Sequence, residues 1–298
     1  MIAIDYSGVA IAAITGFQED LSRDEAAVEN LVRHVILSTI KNYKKTLSKE
    51  FGNEVVIACD SSPYWRSKIF AHYKYKRKKN KEESDIPWEL IHKNMDAVLE
   101  DLRNHFPYKV IKVPGAEADD VIGVLVQDIA TRPKEGLLDD DAPTKCVVVS
   151  RDKDMGQCLT HPNIKQFNPF TKKFVKLDTT AKMYLRRLIL TGDAGDGVPN
   201  VFSPIDSFYT GTRQKPATEK KMAPLLEATN MLDAAVDDVM RQRIIENTRL
   251  ISFASIPKAL RESIAEAYDV KPVGNKMSVL KYLASKGMKQ MMGDIDEF

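Results

Sequence analysis

The chain has 298 residues, 43% hydrophobic and 29% charged, with a net charge of +2, enough for one large or two modest domains with a real core. No stretch approaches the roughly 18 uncharged apolar residues of a membrane helix, and the apolar start MIAIDYSGVAIAAITGF lacks a basic leader and carries Asp5, so neither a span nor a signal peptide is expected. The cysteines Cys59, Cys146 and Cys158 form no CxxC pair, which excludes a thiolate zinc site and suits free thiols in a reducing cytoplasm.

In chain order, short β-branched runs appear at 2–4 (IAI), 55–59 (VVIAC), 109–113 (KVIKV) and 146–150 (CVVVS). Each is mostly apolar rather than alternating, as in strands buried on both faces of a parallel sheet. Between them, residues 25–45, 89–105 and 118–130 carry apolar side chains at three- and four-residue steps and predict helices. Strands alternating with helices predict an α/β domain with a mainly parallel sheet. RPKEGLLDDDAPTK (132–145) reads as a polar surface loop, and 164–177 as a small hairpin. From about residue 180 the pattern is helices and loops, which places a boundary between a 1–180 core and a 181–298 helical part.

Acids follow the strands. Asp5 follows the first, Asp60 the second, Glu117, Asp119 and Asp120 the third, and Asp152 and Asp154 the fourth. Residues beyond the carboxyl ends of parallel strands share one edge, where ligands bind. Any one acid is explained as a cap or turn residue, and the acids of EADD also complement a helix dipole by about 0.3–1 kcal/mol each. Convergence from four strands is not explained that way. Two unit charges about 4 Å apart repel by about 4 kcal/mol at an effective dielectric of 20, so such acids are protonated or hold cations. Oxygen-only ligands point to Mg²⁺ or Mn²⁺, with room for two ions at the roughly 3.5–4 Å separation used in phosphodiester displacement. TGDAGDGVP (191–199) adds Asp193 and Asp196 in a Gly-rich turn, a weak signal that gains weight beside the rest.

Residues 64–81, YWRSKIFAHYKYKRKKNK, hold eight Lys or Arg from Arg66 onward and no acid, interleaved with Tyr64, Trp65, Phe70, Tyr73 and Tyr75. A solvated helix or tail is the ordinary explanation of a basic run. Here it rises a few residues after Asp60, its aromatics suit stacking on unpaired bases, and its cations would draw a polyanion to an acidic edge. Pro87 ends any helix across it.

Together these features resemble the 5′-nuclease superfamily of flap endonucleases and 5′–3′ exonucleases, and within it the ribonuclease H enzymes of T-even-type bacteriophages. The likeness spans nearly the whole chain: the Asp5 and Asp60 strand ends, LVRHVIL (31–37), YWR (64–66), YKYKR (73–77), EADD (117–120), SRDKD (150–154), GDAGDGVP (192–199), NTRLISFASIP (247–257) and the terminal DEF. It implies a PIN-like α/β core, an arch at 61–90 over the active site, and a helix-three-turn-helix at 192–225 that holds duplex DNA by its backbone. It further implies a Mg²⁺-dependent 5′–3′ exonuclease and flap endonuclease, active on DNA and RNA–DNA hybrids with a 5′ overhang or flap, that removes RNA primers in lagging-strand replication. Such an enzyme would be a cytoplasmic monomer working with a single-stranded-DNA-binding protein and a sliding clamp. By the same resemblance, Asp5, Asp60, Asp119 and Asp152 hold a first metal and Asp154, Asp193 and Asp196 a second, with Glu117 and Asp120 completing the shells. Lys74 and Arg77 stabilise charge on the phosphate, with Arg66 and Arg33 orienting it. Tyr73, Lys76, Lys78, Lys79 and Lys81 contact the substrate strand, and Arg213, Lys215, Lys220 and Lys221 the duplex, in place of the Gly-x-Gly hairpin that this sequence lacks. Two rivals are weaker. A haloacid-dehalogenase-type phosphatase wants its D-x-D after the first strand, where this chain has Asp5-Tyr6-Ser7, and a silent DNA-binding scaffold gains nothing from nine carboxylates beside phosphate.

Overall fold

The computed structural model describes residues 1–17, 25–75, 77, 86–129 and 144–298. A six-stranded sheet runs in the order β3-β2-β1-β4-β5-β6. Its strands are β1 (Ile2–Asp5), β2 (Val55–Cys59), β3 (Lys109–Lys112), β4 (Cys146–Val149), β5 (Ile164–Asn168) and β6 (Lys173–Phe174). All pairs are parallel except β5–β6. The four predicted runs are thus strands. The predicted hairpin at 164–177 is also present, and its first strand pairs parallel with β4 and extends the sheet.

β1, β2 and β4 are buried along their whole length, so alternate side chains feed two separate layers. Ile2, Ile4, Ile57, Val147 and Val149 face α1 (Tyr6–Thr15), α2 (Glu25–Phe51) and α4 (Trp88–His105). Ala3, Val56, Ala58, Ile111 and Val148 face the other layer, which contains α5 (Ala118–Val124). That helix continues as a π-helical turn, Leu125–Ile129. Most of the expected loop at 132–145 lies outside the described residues.

A third core gathers α6 (Ala181–Thr191), α8 (Glu219–Glu227), α9 (Asp238–Ile251) and the turns between them, together with Phe70 from just beyond α3 (Trp65–Ile69). The short α7 (Ser207–Thr210) sits within those turns. Beyond residue 257 the chain returns to the α/β core. Ile264 of α10 (Lys258–Asp269) joins the layer of α5. Val279, Tyr282 and Leu283 of α11 (Lys276–Ser285), Met291 of α12 (Lys289–Met292) and Phe298 join that of α2 and α4. Within the expected 181–298 part, 181–251 carries its own core, while the apolar residues of 258–298 complete the two sheet layers.

The strand order reverses at β1, with β2 and β3 on one side and β4 and β5 on the other. That switch point opens a crevice at the carboxyl ends of β1 and β4, where Asp5 and the segment 150–154 emerge.

Candidate metal centre and nucleic-acid interface

The acids fall into two sets and an outlying pair. In the first set, Asp5 caps α1: its Oδ1 accepts from Gly8 N at 2.9 Å, and its Oδ2 accepts from Ser150 Oγ at 3.0 Å. Asp60 Oδ1 accepts from Ala118 N at 3.1 Å, tying β2 to the start of α5. Asp152 Oδ1 accepts from Asp154 N at 2.8 Å, and Ser150 Oγ accepts from Asp152 N at 3.0 Å. Burial, with the charges of Asp60 and Asp152, pushes the Asp5 carboxyl up to about 6. Burial, then Asp152 and Asp5, pushes Asp119 well above the carboxylate range. Asp5 thus feels the charges of Asp60 and Asp152, and Asp119 those of Asp152 and Asp5.

The second set is Asp154, Asp193 and Asp196. Burial, then Asp152 and Asp193, pushes Asp154 up to about 8. The Asp193–Asp196 turn closes on itself: Asp193 Oδ1 accepts from Gly195 N at 2.7 Å, and Asp193 and Val198 exchange backbone hydrogen bonds. Gly192 begins the turn at φ +68, where a Cβ would lie 2.4 Å from the Val198 carbonyl oxygen. Lys153 Nζ reaches Asp193 Oδ2 at 3.1 Å, joining this turn to the β4 end.

Glu117 and Asp120, expected in the metal shells, are each paired with cations, and Glu117 also stays in electrostatic reach of Asp119 and Asp196. Asp120 is 0% exposed; its Oδ2 accepts from Trp65 Nε1 and from Glu117 N, both at 3.0 Å, and its Oδ1 lies 2.8 Å from Arg66 Nη1. Glu117 accepts from Arg66 Nη1 at 2.7 Å, from the Tyr73 hydroxyl at 2.9 Å and from the Lys74 ammonium. Glu117 and Asp120, three residues apart, share one face of the helix start and are linked as a capping box, whereas Asp119 beside them feels the charges of Asp152 and Asp5.

Arg66, expected to orient phosphate, is instead turned onto internal partners. It is 3% exposed, paired with Glu117 and Asp120, and its Nε donates to Leu250 O at 2.7 Å. Arg33, expected beside it, is internally paired as well. It is 3% exposed within α2, its Nη2 donates to Glu29 at 2.7 Å, and its Nε is 3.5 Å from Asp101. Lys76, Lys78, Lys79 and Lys81 lie outside the described residues. Arg213, Lys215, Lys220 and Lys221 are exposed on the 211–221 loop and the start of α8.

The two remaining cations face the acids. Lys74 sits at φ +58, with its N–H donating to Asp196 O at 2.9 Å and its ammonium on Glu117. Burial disfavours the charged amine, but Asp196 and Glu117 outweigh it and hold Lys74 above its ordinary value. Arg77 places Nη2 at 2.7 Å from Asp196 Oδ1 and donates from Nε to Gly195 O at 3.2 Å. The Tyr73 hydroxyl, 2.8 Å from Asp196 Oδ2, joins both groups. Ser150, Lys153 and Gly8, missed in the sequence, position these carboxylates; only the place of Ser150 and Lys153 inside SRDKD hinted at it.

Among the described residues, no three His, Cys, Asp or Glu side chains close into a metal cage. The donor set still fits a hard divalent cation. All its donors are oxygens, burial and then neighbouring carboxylates raise Asp5, Asp119 and Asp154, and buried Asp154 Oδ1 has no hydrogen-bond partner. An open arrangement suits a divalent cation that keeps several waters.

Comparison with known proteins agrees with this architecture. Residues 2–186 match the family model described as 5′–3′ exonuclease, N-terminal resolvase-like domain, and residues 179–298 match T4 RNase H, C terminal. The chain is 29% identical to the ribonuclease H of Enterobacteria phage T4 over 99% of its own length and 94% of that protein's. It is 28% identical to the flap endonuclease Xni of a Shewanella species, over 60% of this chain and 62% of that one. A zinc-bound bacteriophage T5 5′-exonuclease superposes with a TM-score of 0.64 at 13% identity, covering 91% of this chain and 98% of the other. A T5 flap endonuclease complex with DNA and metal ions also gives 0.64, at 12% identity, covering 90% and 97%. The acids gathered at the β1–β4 switch point, the cations facing them and the family match over 2–186 together place this chain in the 5′–3′ exonuclease family.

Proposed function

We infer that the protein is a Mg²⁺-dependent 5′–3′ exonuclease and 5′-flap endonuclease that removes RNA primers and adjacent DNA in lagging-strand replication. One observation supports this reading: Asp5 feels the charges of Asp60 and Asp152, Asp119 those of Asp152 and Asp5, and Lys74 and Arg77 pair with Glu117 and Asp196 nearby. The first set would hold one divalent cation; Asp154, Asp193 and Asp196 would hold a second. Bound there, such ions neutralise and polarise a scissile phosphate. Lys74 and Arg77 supply fixed positive charge for the phosphate as its charge develops. Glu117, Tyr73 and Asp196 aim those two side chains, and Arg66 fixes Glu117 from beneath. The named activities of the phage T4 and Shewanella relatives support the substrate class.

The test is Asp152→Asn, assayed on a 5′-flap DNA and on an RNA–DNA hybrid with Mg²⁺. Loss of cleavage with retained fold is the expected result, and wild-type cleavage by the variant would overturn the metal assignment.

A further inference from the structure

Five aromatic residues are interleaved with the basic run, and four of them are committed elsewhere. Phe70 is buried in the 181–251 core. Trp65 donates to Asp120 and lies 4.5 Å from the Arg66 guanidinium. Tyr73 spends its hydroxyl on Glu117 and Asp196, and half-buried Tyr64 lies under the Lys74 ammonium, 5.0 Å from the ring centroid. Tyr75 turns outward and is 45% exposed. It meets Tyr209 of α7, itself 54% exposed, edge to face at 5.2 Å and 73°. His72 stacks on the same Tyr209 ring at 4.0 Å and 18°, and Phe70 backs His72 at 5.8 Å.

An outward-facing stack of rings drawn from two distant segments leaves apolar surface in water unless something covers it. Its position says what. His72 and Tyr75 flank Lys74, whose backbone is held on the Asp196 carbonyl, so the rings are fixed relative to the acidic crevice. Arg77, with a half-exposed side chain, lies two residues beyond Tyr75. Rings beside fixed cations match a nucleotide strand, whose bases offer π-faces and whose phosphates offer charge.

We propose that His72, Tyr75 and Tyr209 form a stacking platform for an unpaired nucleobase of the strand whose phosphate engages Lys74 and Arg77. The platform rests on the nuclease reading above and adds to it how an unpaired strand is told from a paired one: a base inside a duplex has both faces covered and cannot reach the rings. Stacking is indifferent to base identity, so the preference is for single-strandedness, not sequence.

The test is fluorescence anisotropy with Ca²⁺ in place of Mg²⁺, so that binding is read without turnover. The probes are a duplex with a 5′ single-stranded DNA overhang and the same duplex with abasic positions throughout the overhang. Wild type is expected to bind the base-bearing overhang more tightly. Tyr209→Ala is expected to raise the Kd for it by roughly 5- to 150-fold, the range for losing one base–aromatic stack. The abasic probe should barely change, and Tyr209→Phe should retain the discrimination. Equal weakening of both probes by Tyr209→Ala would show the rings to be only a tie between the 64–77 segment and α7, and would overturn the platform. Tyr75→Ala, at the other exposed ring of the platform, repeats the comparison if Tyr209→Ala does not fold. Wild type that binds both probes without discrimination refutes the platform alone; wild type that binds neither refutes the nucleic-acid reading as well.

Discussion

Arg66→Ala separates a structural arginine from a catalytic one. The guanidinium is 3% exposed and lies 2.7 Å from Glu117 Oε2 and 2.8 Å from Asp120 Oδ1, carboxylates that are 2% and 0% exposed. At an effective dielectric of 20, each such pair at about 4 Å between charge centres is worth about 4 kcal/mol of attraction. The pairs offset the cost of burying three charges; removing the shared cation leaves that cost standing. Breaking a buried pair from one side costs about 3–5 kcal/mol. Lys74 and Tyr73 still serve Glu117, so the deficit falls mainly on Asp120. Against a whole-protein stability of about 5–15 kcal/mol, that loss is readily seen in urea denaturation at pH 7. Burial already raises the Asp120 carboxyl against the pull of Arg66, and without Arg66 it rises further. A raised carboxyl stabilises the fold while protonated and loses that contribution as pH rises through its folded value. The deficit of Arg66→Ala should therefore shrink on acidification, and Arg66→Ala with Asp120→Asn should recover part of it at pH 7. A single variant within about 1 kcal/mol of the parent that nonetheless loses turnover would refute the structural assignment.

Gly8→Ala places a Cβ 2.3 Å from Asp5 Oδ2, so it should cut turnover about 10²-fold by shifting that carboxylate, although Gly to Ala inside a helix ordinarily adds up to about 1 kcal/mol of stability. Steady-state kinetics with a thermal melt checks both. In EDTA, the raised Asp154 carboxyl should make the parent lose stability relative to Asp154→Asn as pH climbs from about 4 to about 8, because the folded protein holds a proton there that the unfolded chain has released; melting both proteins across that range reads the difference. Lys74→Ala should lower kcat by about 10²-fold or more while changing Kd far less, since its charge is aimed at the site by Glu117; an effect on Kd alone would make it a binding residue.

The strands and their trailing acids were legible because burial on both faces leaves a plain chemical trace: short β-branched runs ended by a carboxylate. The difference between Asp119 and Asp120 was not legible. Both are acids at a helix start, and only the position of Arg66 and Trp65 beneath the helix shows that Asp120 belongs to a buried salt-bridge cluster. The same applies to Arg66, where the resemblance suggested phosphate and burial among acids shows internal pairing, and to Arg33, where a structural ion pair was the equal alternative. The return of 258–298 to the first core was hidden because amphipathic helices carry no label for the surface they cover.

The turn 192–199 changes most in meaning. As sequence it is a Gly-rich loop with two acids. In the structure it is one of the places where the third core meets the first: Asp193 to Lys153, the Asp196 carboxylate to Tyr73 and Arg77, and the Asp196 carbonyl to Lys74 N. These links are polar and ionic, and each ends on a residue of the candidate site. A perturbation that moves the 181–251 core against the sheet therefore reaches the second acidic set and both cations at once, while the first set stays anchored to the sheet through Gly8, Ser150 and Ala118. Stability of the first set and alignment of the second are thus separable properties of this fold. Substitutions within the third core should shift activity before they shift the melting of the α/β core.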